Sequence, residues 1–268
     1  MKVGRRSSLG LVLALVSVLG LGARCGDEDK PKAAASTSTS TAVGLTGNLT
    51  VLAAASLSEA FRELGGAFEG KHPATKITFS FDASSALALQ ANNGAPADLF
   101  ASADQANMKK VTDAGNATGS RVVARNKLAI VVAKGNPKKV SGLADLGKSS
   151  VTYVLCAPEM PCGKYGAEAL RKAGVKAKPK SLETNVKAVV TKVSGGEVDA
   201  GIGYVTDARA AAPSAEGIEI PDEYNVVAEY PMAVLKQSTR TELASAFLEF
   251  VLTPDGQAVL AKYGFTAV

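Results

Sequence analysis

The chain has 268 residues, of which 46% are hydrophobic, and contains 30 basic and 25 acidic residues but no Trp. Four of the basic residues, Lys2, Arg5, Arg6 and Arg24, lie in the first 24 positions, where no acidic residue occurs. The remainder therefore carries 26 basic against 25 acidic residues, a formal charge of +1. A near-neutral chain with few aromatic side chains lacks the basic and stacking surface typical of nucleic-acid-binding proteins.

Residues 1–24 are predicted to be a secretory signal peptide. Positive residues precede Leu9–Leu21, an apolar run that is too short to span a bilayer comfortably. We therefore expect the mature protein to work outside the cytoplasm.

Cys25 follows this signal at once, and residues 25–45 are rich in Ser, Thr, Ala and Lys, which predicts a flexible tether. A cysteine placed between a signal and a polar tether is typical of a bacterial lipoprotein, whose lipid would anchor the chain to the outer face of the cell membrane. Arg24 counts against lipidation, because a small residue normally precedes the lipidated cysteine. A periplasmic protein with an incidental cysteine is the alternative.

From residue 46 onward, strand-like and helix-like segments alternate. Strands are predicted at LTVLAA, KITFSF, ADLFAS, KLAIVVA, VTYVLC, AGIGYV and YPMAVLK. Helices are predicted at 58–68, 86–91, 104–113, 164–172, 186–193 and 241–252. This alternation predicts an α/β fold with largely parallel sheets, in which ligands lie beyond the carboxyl ends of the strands.

Several predicted helices begin with small polar residues directly after a strand. Ser56 has Glu59 three residues later, which predicts a capping box. Ser84 with Ser85 and Thr184 with Asn185 are placed similarly, as is the start of the helix after Pro161. Each side chain either only caps its own helix or, together with the free N–H groups there, binds an anion.

Cys156 and Cys162 lie close together in the segment CAPEMPC. In an oxidising compartment this spacing predicts a disulfide. A metal-binding pair is the weaker alternative, because no histidine lies nearby to complete the site.

Five segments together resemble the molybdate-binding proteins of bacterial ABC importers: LTVLAAASLSEAF, FDASSALALQ, GAPADLFASADQANM, GIGYVTDA and KYGFTAV. The resemblance extends from about Gly47 to Val268. It implies a type II periplasmic-binding-protein fold, with two α/β lobes, a ligand cleft between them and two crossing strands near Lys127 and Tyr230. Lobe 1 would comprise residues 46–127 and 231–268, and lobe 2 residues 128–230.

The resemblance also implies the ligand-binding residues. They would be the hydroxyls of Ser56, Ser84 and Tyr204 and the backbone N–H groups of Cys162 and Val186, with Ser85 as a possible substitute because Ala83 stands where the family has a serine. Molybdate at neutral pH is a proton-free tetrahedral dianion, and these residues supply uncharged donors only. Tungstate should bind too, sulfate is the alternative oxyanion, no cofactor is implied, and the partner of this monomer would be an ABC permease.

An extracytoplasmic serine hydrolase is the alternative from another functional class. Its nucleophile would need an activating base, yet His72, the single histidine, lies in a polar segment before a proline. Residues 142–149, GLADLGKS, match a P-loop pattern, but a helix-like segment precedes the motif and a strand follows it. We interpret the match as fortuitous.

Overall fold

Strands and helices alternate along residues 44–268, the part of the chain that this computed structural model describes. The strands are β1 (Gly47–Ala54), β2 (Thr75–Asp82), β3 (Leu99–Ala101), β4 (Ala117–Ala133), β5 (Tyr153–Cys156), β6 (Leu182–Glu183), β7 (Ala200–Tyr204), β8 (Ala215–Glu219) and β9 (Val227–Leu235). The helices are α1 (Ser58–Lys71), α2 (Ser84–Asn92), α3 (Gln105–Asp113), α4 (Pro161–Lys172), α5 (Val186–Ser194), α6 (Val205–Ala210), α7 (Thr241–Leu252) and α8 (Pro254–Lys262). The predicted signal peptide and Cys25 lie outside the described residues, and within residues 44–268 no helix has the length and apolar character to cross a membrane.

The strands follow the order β2-β1-β3-β9-β4-β7-β5-β6, with β8 beside β4. β1 runs parallel to β2 and β3, and β5 runs parallel to β6 and β7. The central strands differ, because β9 is antiparallel to β3 and β4, and β4 is antiparallel to β7 and β8. The predicted α/β class is therefore confirmed, whereas the expectation of largely parallel sheets holds only for the flanks.

β4 changes its neighbours partway along its length. Its residues 117–127 pair with β9, and its residues 128–133 pair with β7 and β8. We call residues 44–127 and 227–268 the first half and residues 128–226 the second half, from this change of pairing. The division into two separate lobes with the bounds given above stays a prediction.

Apolar spacing along α1 explains how the first half packs. Phe61, Leu64 and Phe68 recur at helical spacing, and all three are buried. Phe68 meets the ring of Phe247 in α7 edge to face, with the ring centroids 5.4 Å apart. Burying each such aromatic side chain contributes about 1.5–3 kcal/mol, so this layer holds α1 and α7 against one face of the sheet.

Close backbone packing brings α5 onto β7. A Cβ atom added to Gly201 would lie 2.4 Å from Val189 Cγ1, nearer than real Cβ atoms approach. Only glycine therefore permits this approach. Its consequence is that the first turn of α5, at Val186, lies beside the end of β7, at Tyr204.

The predicted disulfide is present. Cys156 ends β5 and Cys162 lies in the first turn of α4, and their sulfur atoms are 2.04 Å apart. Gly163 allows the close contact behind this link, since a Cβ there would lie 2.0 Å from the carbonyl oxygen of Ala157. The link and the glycine together fix where α4 begins.

Removing this disulfide should lower stability without unfolding the protein. The link closes a short loop, with a sequence separation of 6. The chain-entropy model gives about 2–3 kcal/mol for such a loop. We expect the variant Cys156→Ala with Cys162→Ala to lose about that much free energy of unfolding in urea titrations. Unchanged stability would contradict this prediction.

Candidate functional site

A small cavity of about 20 Å³ lies where the two halves of the chain meet. This volume is the space open to the centre of a water-sized sphere. One water molecule needs roughly 10–15 Å³ of such space, so the cavity suits one small ion. The first half contributes Ala54, Ala55, Ser56, Asp82, Ala83, Ser84 and Ala103, and the second half contributes Pro161, Cys162, Asn185, Val186 and Tyr204.

Four of these lining segments are the starts of helical turns. They are the 3-10 turn Ala55–Leu57 and the first residues of α2, α4 and α5. The first N–H groups of a helix have no acceptor within the helix, and the positive end of the helix dipole lies there. Donors therefore surround the cavity, because parallel strands such as β1 and β2 end at the same edge of the sheet.

All five residues of the sequence-predicted set line this one cavity: Ser56, Ser84, Cys162, Val186 and Tyr204. Ser85, the possible substitute, is not among the lining residues. Its hydroxyl instead donates to the sulfur of Met160 over 2.9 Å. The geometry thus brings Ser84 rather than Ser85 to the cavity.

The predicted capping box at Ser56 is wrong. α1 begins only at Ser58, with Leu57 as its N-cap and no side-chain cap, because a 3-10 turn comes between β1 and α1. Ser56 Oγ lies 2.9 Å from the hydroxyl oxygen of Tyr230 instead. Glu59 accepts hydrogen bonds from Ser58 Oγ and from Lys187 Nζ, each over 2.8 Å.

Ser84 and Asn185 differ in what their side chains do. Ser84 Oγ accepts from the N–H of Ala103 over 2.8 Å and caps no helix, so its own hydroxyl proton is left to donate. Asn185 is a true N-cap, because its side chain accepts from the N–H of Ala188 over 3.1 Å. The capping interpretation therefore holds for Asn185 and not for Ser84.

The hydroxyl of Tyr204 is buried and has no hydrogen-bond partner among residues 44–268. The residue is 1% exposed. Burial raises the pKa of Tyr204 well above its ordinary value, so the hydroxyl keeps its proton and remains a donor. A buried donor without an acceptor costs about 1–3 kcal/mol, and an anion in the cavity would supply that acceptor.

A polar chain behind Ser56 was not predicted from the sequence. The side-chain amide of Asn126 donates to the hydroxyl oxygen of Tyr230 over 3.4 Å, and burial raises the pKa of that tyrosine. Either hydroxyl of the Ser56–Tyr230 pair can be the donor, and when Tyr230 donates to Ser56 Oγ the proton of Ser56 is free to face an acceptor. Asn126 and Tyr230 lie on β4 and β9, far from Ser56 in the sequence, so no local motif signals them.

Asp82 is a charged residue that the predicted set omits. It lines the cavity, and its Oδ1 accepts from the N–H of Ala83 over 2.7 Å and from the side-chain amide of Asn185 over 3.2 Å. The expectation that uncharged residues alone form the site is therefore incomplete. The segment FDASS contained the signal, since Asp82 stands two residues before Ser84.

The residues considered for other activities lie elsewhere. His72 follows the end of α1, with its ring centroid 4.5 Å from that of Phe68, and is not a lining residue. The P-loop-like segment forms a 3-10 turn, Leu143–Gly147, and the next element is β5. A P-loop would instead lead directly into a helix. Within residues 44–268, no group of three His, Cys, Asp or Glu residues is placed to hold a metal ion.

Comparisons with known proteins identify the family of the chain. The family model for bacterial extracellular solute-binding proteins matches residues 49–266. The molybdate-binding protein ModA of Mycobacterium tuberculosis (strain ATCC 25618 / H37Rv) is 39% identical over 219 residues, which cover 81% of this chain and 84% of that protein.

Two solved structures have the same fold. The "substrate binding domain of putative molybdenum ABC transporter from Clostridium difficile" is 29% identical, with a TM-score of 0.64, and the match covers 82% of this chain and 99% of that one. The sulfate-binding protein SubI from M. tuberculosis H37Rv is 21% identical, with a TM-score of 0.76, and the match covers 82% of this chain and 87% of that one. At this identity the likeness shows the fold alone. The predicted type II periplasmic-binding-protein fold is confirmed. The chain therefore belongs to the bacterial extracellular solute-binding proteins, in the ModA-type group, and not to a class of enzymes.

Proposed function

We propose that this protein captures molybdate outside the cytoplasm and delivers it to the permease of an ABC importer. The observation that carries the proposal is the convergence of five donor residues on one ion-sized cavity, with the buried Tyr204 hydroxyl lacking any acceptor among the described residues. The relatives named for molybdate binding and molybdenum transport support the same assignment.

Uncharged donors suffice to hold a dianion here. Hydrogen bonds to a charged group contribute about 1.5–3 kcal/mol each. Hydroxyl protons come from Ser56, Ser84 and Tyr204, and backbone N–H groups come from Cys162 and Val186. Because the residues that supply these donors are buried, water screens the dipoles less than it would at the surface.

The donor set favours an anion that carries no proton. Molybdate and tungstate share the charge and shape that this requires, and we include tungstate as a second ligand of the same site. Sulfate has the same charge but is smaller, so the size of the cavity would separate it from molybdate.

Asp82 favours a second candidate, a protonated oxyanion such as hydrogen phosphate, whose hydroxyl would donate to the carboxylate. We place molybdate first because Asp82 Oδ1 already accepts from the N–H of Ala83 and from Asn185. Those contacts tie the carboxylate to the start of α2 and to α5.

Ligand capture would close two lobes, residues 46–127 with 231–268 and residues 128–230, around the anion. The lining residues come from both sides of this proposed division, so an ion in the cavity would hold the sides together. A ligand that binds only the closed form stabilises that form by linkage.

We propose further that Cys25 carries a lipid and that residues 25–45 tether the binding unit to the outer face of the membrane. The supporting features are the preceding signal-like segment and the polar composition of the tether. A monomer on such a tether could reach a permease in the same membrane.

Molybdate and tungstate should raise the melting temperature of the purified protein, since they bind the folded state. At a ligand concentration of about 100 times Kd, linkage adds roughly 2.7 kcal/mol to the stability. A thermal-shift panel of molybdate, tungstate, sulfate, phosphate and amino acids measures this. A shift with phosphate alone would favour the protonated-anion candidate, and a shift with amino acids alone would exclude both oxyanions.

Tyr204→Phe should weaken molybdate binding by about 1–3 kcal/mol, because it deletes one donor to a charged ligand. Isothermal titration calorimetry gives the affinity. Tyr153→Phe is the matched control, since Tyr153 is also buried and its hydroxyl donates to the carbonyl of Ala177 over 2.9 Å, away from the cavity. Equal losses in the two variants would count against a ligand contact at Tyr204.

Cys25→Ser should release the protein from the membrane fraction, because the variant has no thiol to carry the lipid. Fractionation of cells that express either form, followed by immunoblotting, measures the change. Membrane association that persists in the variant would show that lipid on Cys25 is not the anchor.

A further inference from the structure

Three charged side chains form a cluster on turns whose neighbouring residues line the cavity. Lys187 is in the first turn of α5, and its Nζ lies 2.8 Å from Glu59 Oε2 and 3.2 Å from Asp207 Oδ1. Lys187 follows the lining residue Val186, Glu59 is three residues beyond Ser56, and Asp207 is three residues beyond Tyr204. Each charged residue is therefore within about one helical turn of a residue that lines the cavity.

The Lys187–Glu59 contact is an ionised pair. Burial alone would lower the pKa of Lys187, but the neighbouring carboxylates of Asp207 and Glu59 outweigh it and raise that pKa. Burial acts to raise the pKa of Glu59, and the lysine reverses this and lowers it. Both groups thus carry their charges at neutral pH.

The two carboxylates belong to different halves of the molecule. Glu59 is on α1 in the first half, whereas Asp207 is on α6 in the second half, together with Lys187. Asp207 is fully buried, with its Oδ2 accepting from the N–H of Tyr204 over 3.3 Å. Burial raises the pKa of Asp207, and the nearby Lys187 ammonium group opposes that rise. The contact with Asp207 lies within the second half, and Glu59 reaches the lysine from the first.

Other polar contacts that cross between the halves beside the cavity are neutral at one end or at both. Asn185 donates to Asp82 over 3.2 Å, and Ser85 donates to Met160 over 2.9 Å. An attraction between two full charges is stronger and acts over a longer distance than these contacts. The pair is also shielded in part, since the side chains of Lys187 and Glu59 are 31% and 36% exposed. A second ion pair, Lys127 with Asp222 over 2.6 Å, also crosses between the halves, but Lys127 stands where β4 passes from one half to the other.

We propose that Lys187 is a positioning residue for ligand capture, whose ion pair with Glu59 forms as the halves close over the anion and slows its release. The inference rests on the proposed function and deepens it, because it assigns the control of ligand release to residues that do not line the cavity. Asp207 keeps the ammonium group in place before closure, so little side-chain freedom is lost when Glu59 arrives.

Glu59→Gln tests this inference, because it removes the charge from one half and leaves Lys187 with Asp207. Release of molybdate is followed by stopped-flow tyrosine fluorescence. We expect the dissociation rate of molybdate to rise about three- to tenfold, which corresponds to the free energy of a partly buried ion pair. The association rate and the melting temperature of the ligand-free protein should be nearly unchanged. Lys187→Arg, which keeps the charge, should retain slow release.

Glu183→Gln is the matched control. Glu183, on β6, pairs over 2.7 Å with Lys192, which lies on α5 as Lys187 does. The side chain of Lys192 is 31% exposed, like that of Lys187, but Glu183 and Lys192 both lie in the second half. We expect no change in the dissociation rate of this variant. The double variant Glu59→Gln with Lys187→Met should release molybdate no faster than Lys187→Met alone, because the two changes remove the same interaction.

The outcomes separate the two proposals. If the wild-type protein binds no molybdate, both the proposed function and this inference fail. If the wild-type protein binds molybdate and Glu59→Gln releases it at the wild-type rate, or if Glu183→Gln speeds release equally, the ion pair has no role in capture and only this inference is overturned.

Discussion

The buried hydroxyl of Tyr204, which has no hydrogen-bond partner among residues 44–268, lies at one cavity together with the other donor residues, and the remaining features of the site follow from that constraint. Leaving such donors unpaired is costly, so the surrounding structure has to hold them there. The parallel flanks of the sheet do this by ending β1 and β2 at one edge, where helical turns begin. The close packing of α5 on β7 and the disulfide at the start of α4 fix the opposite side. A proton-free anion would complete the proposed arrangement, because it supplies acceptors and no donors.

Much of the fold could be predicted from the sequence, because apolar runs and capped helical patterns are local signals. Most of the segments that were missed lack such signals, although α8, which was also missed, has Thr253 as its N-cap and Pro254 in its first turn. β8 and the first part of β4 are largely polar and exposed, and they are strands only because neighbouring strands pair with them. α6 has six residues, too few to show a clear period. The antiparallel centre of the sheet could not be predicted either, since it depends on β9 returning between β3 and β4.

The candidate site was predictable for residues in recognisable segments and unpredictable for those that reach it through the fold. Ser56 and Tyr204 stand in motifs that resemble a known family, and both line the cavity. The contact between Ser56 and Tyr230 joins residues 174 positions apart, and the pair between Lys187 and Glu59 joins residues 128 apart. No local pattern can signal such pairs. The misplaced capping box has a local cause, because a 3-10 turn between β1 and α1 moves the start of α1 beyond Ser56.

The most direct test of the donor-only account is a crystal structure with bound molybdate, in which anomalous scattering locates the molybdenum atom. We expect one peak in the cavity between Ser56, Ser84 and Tyr204, with the three hydroxyl oxygens within hydrogen-bond distance of the anion. A peak outside the cavity would contradict it. A carboxylate oxygen of Asp82 within hydrogen-bond distance of a ligand oxygen would contradict it as well, because that contact requires a proton that molybdate does not carry.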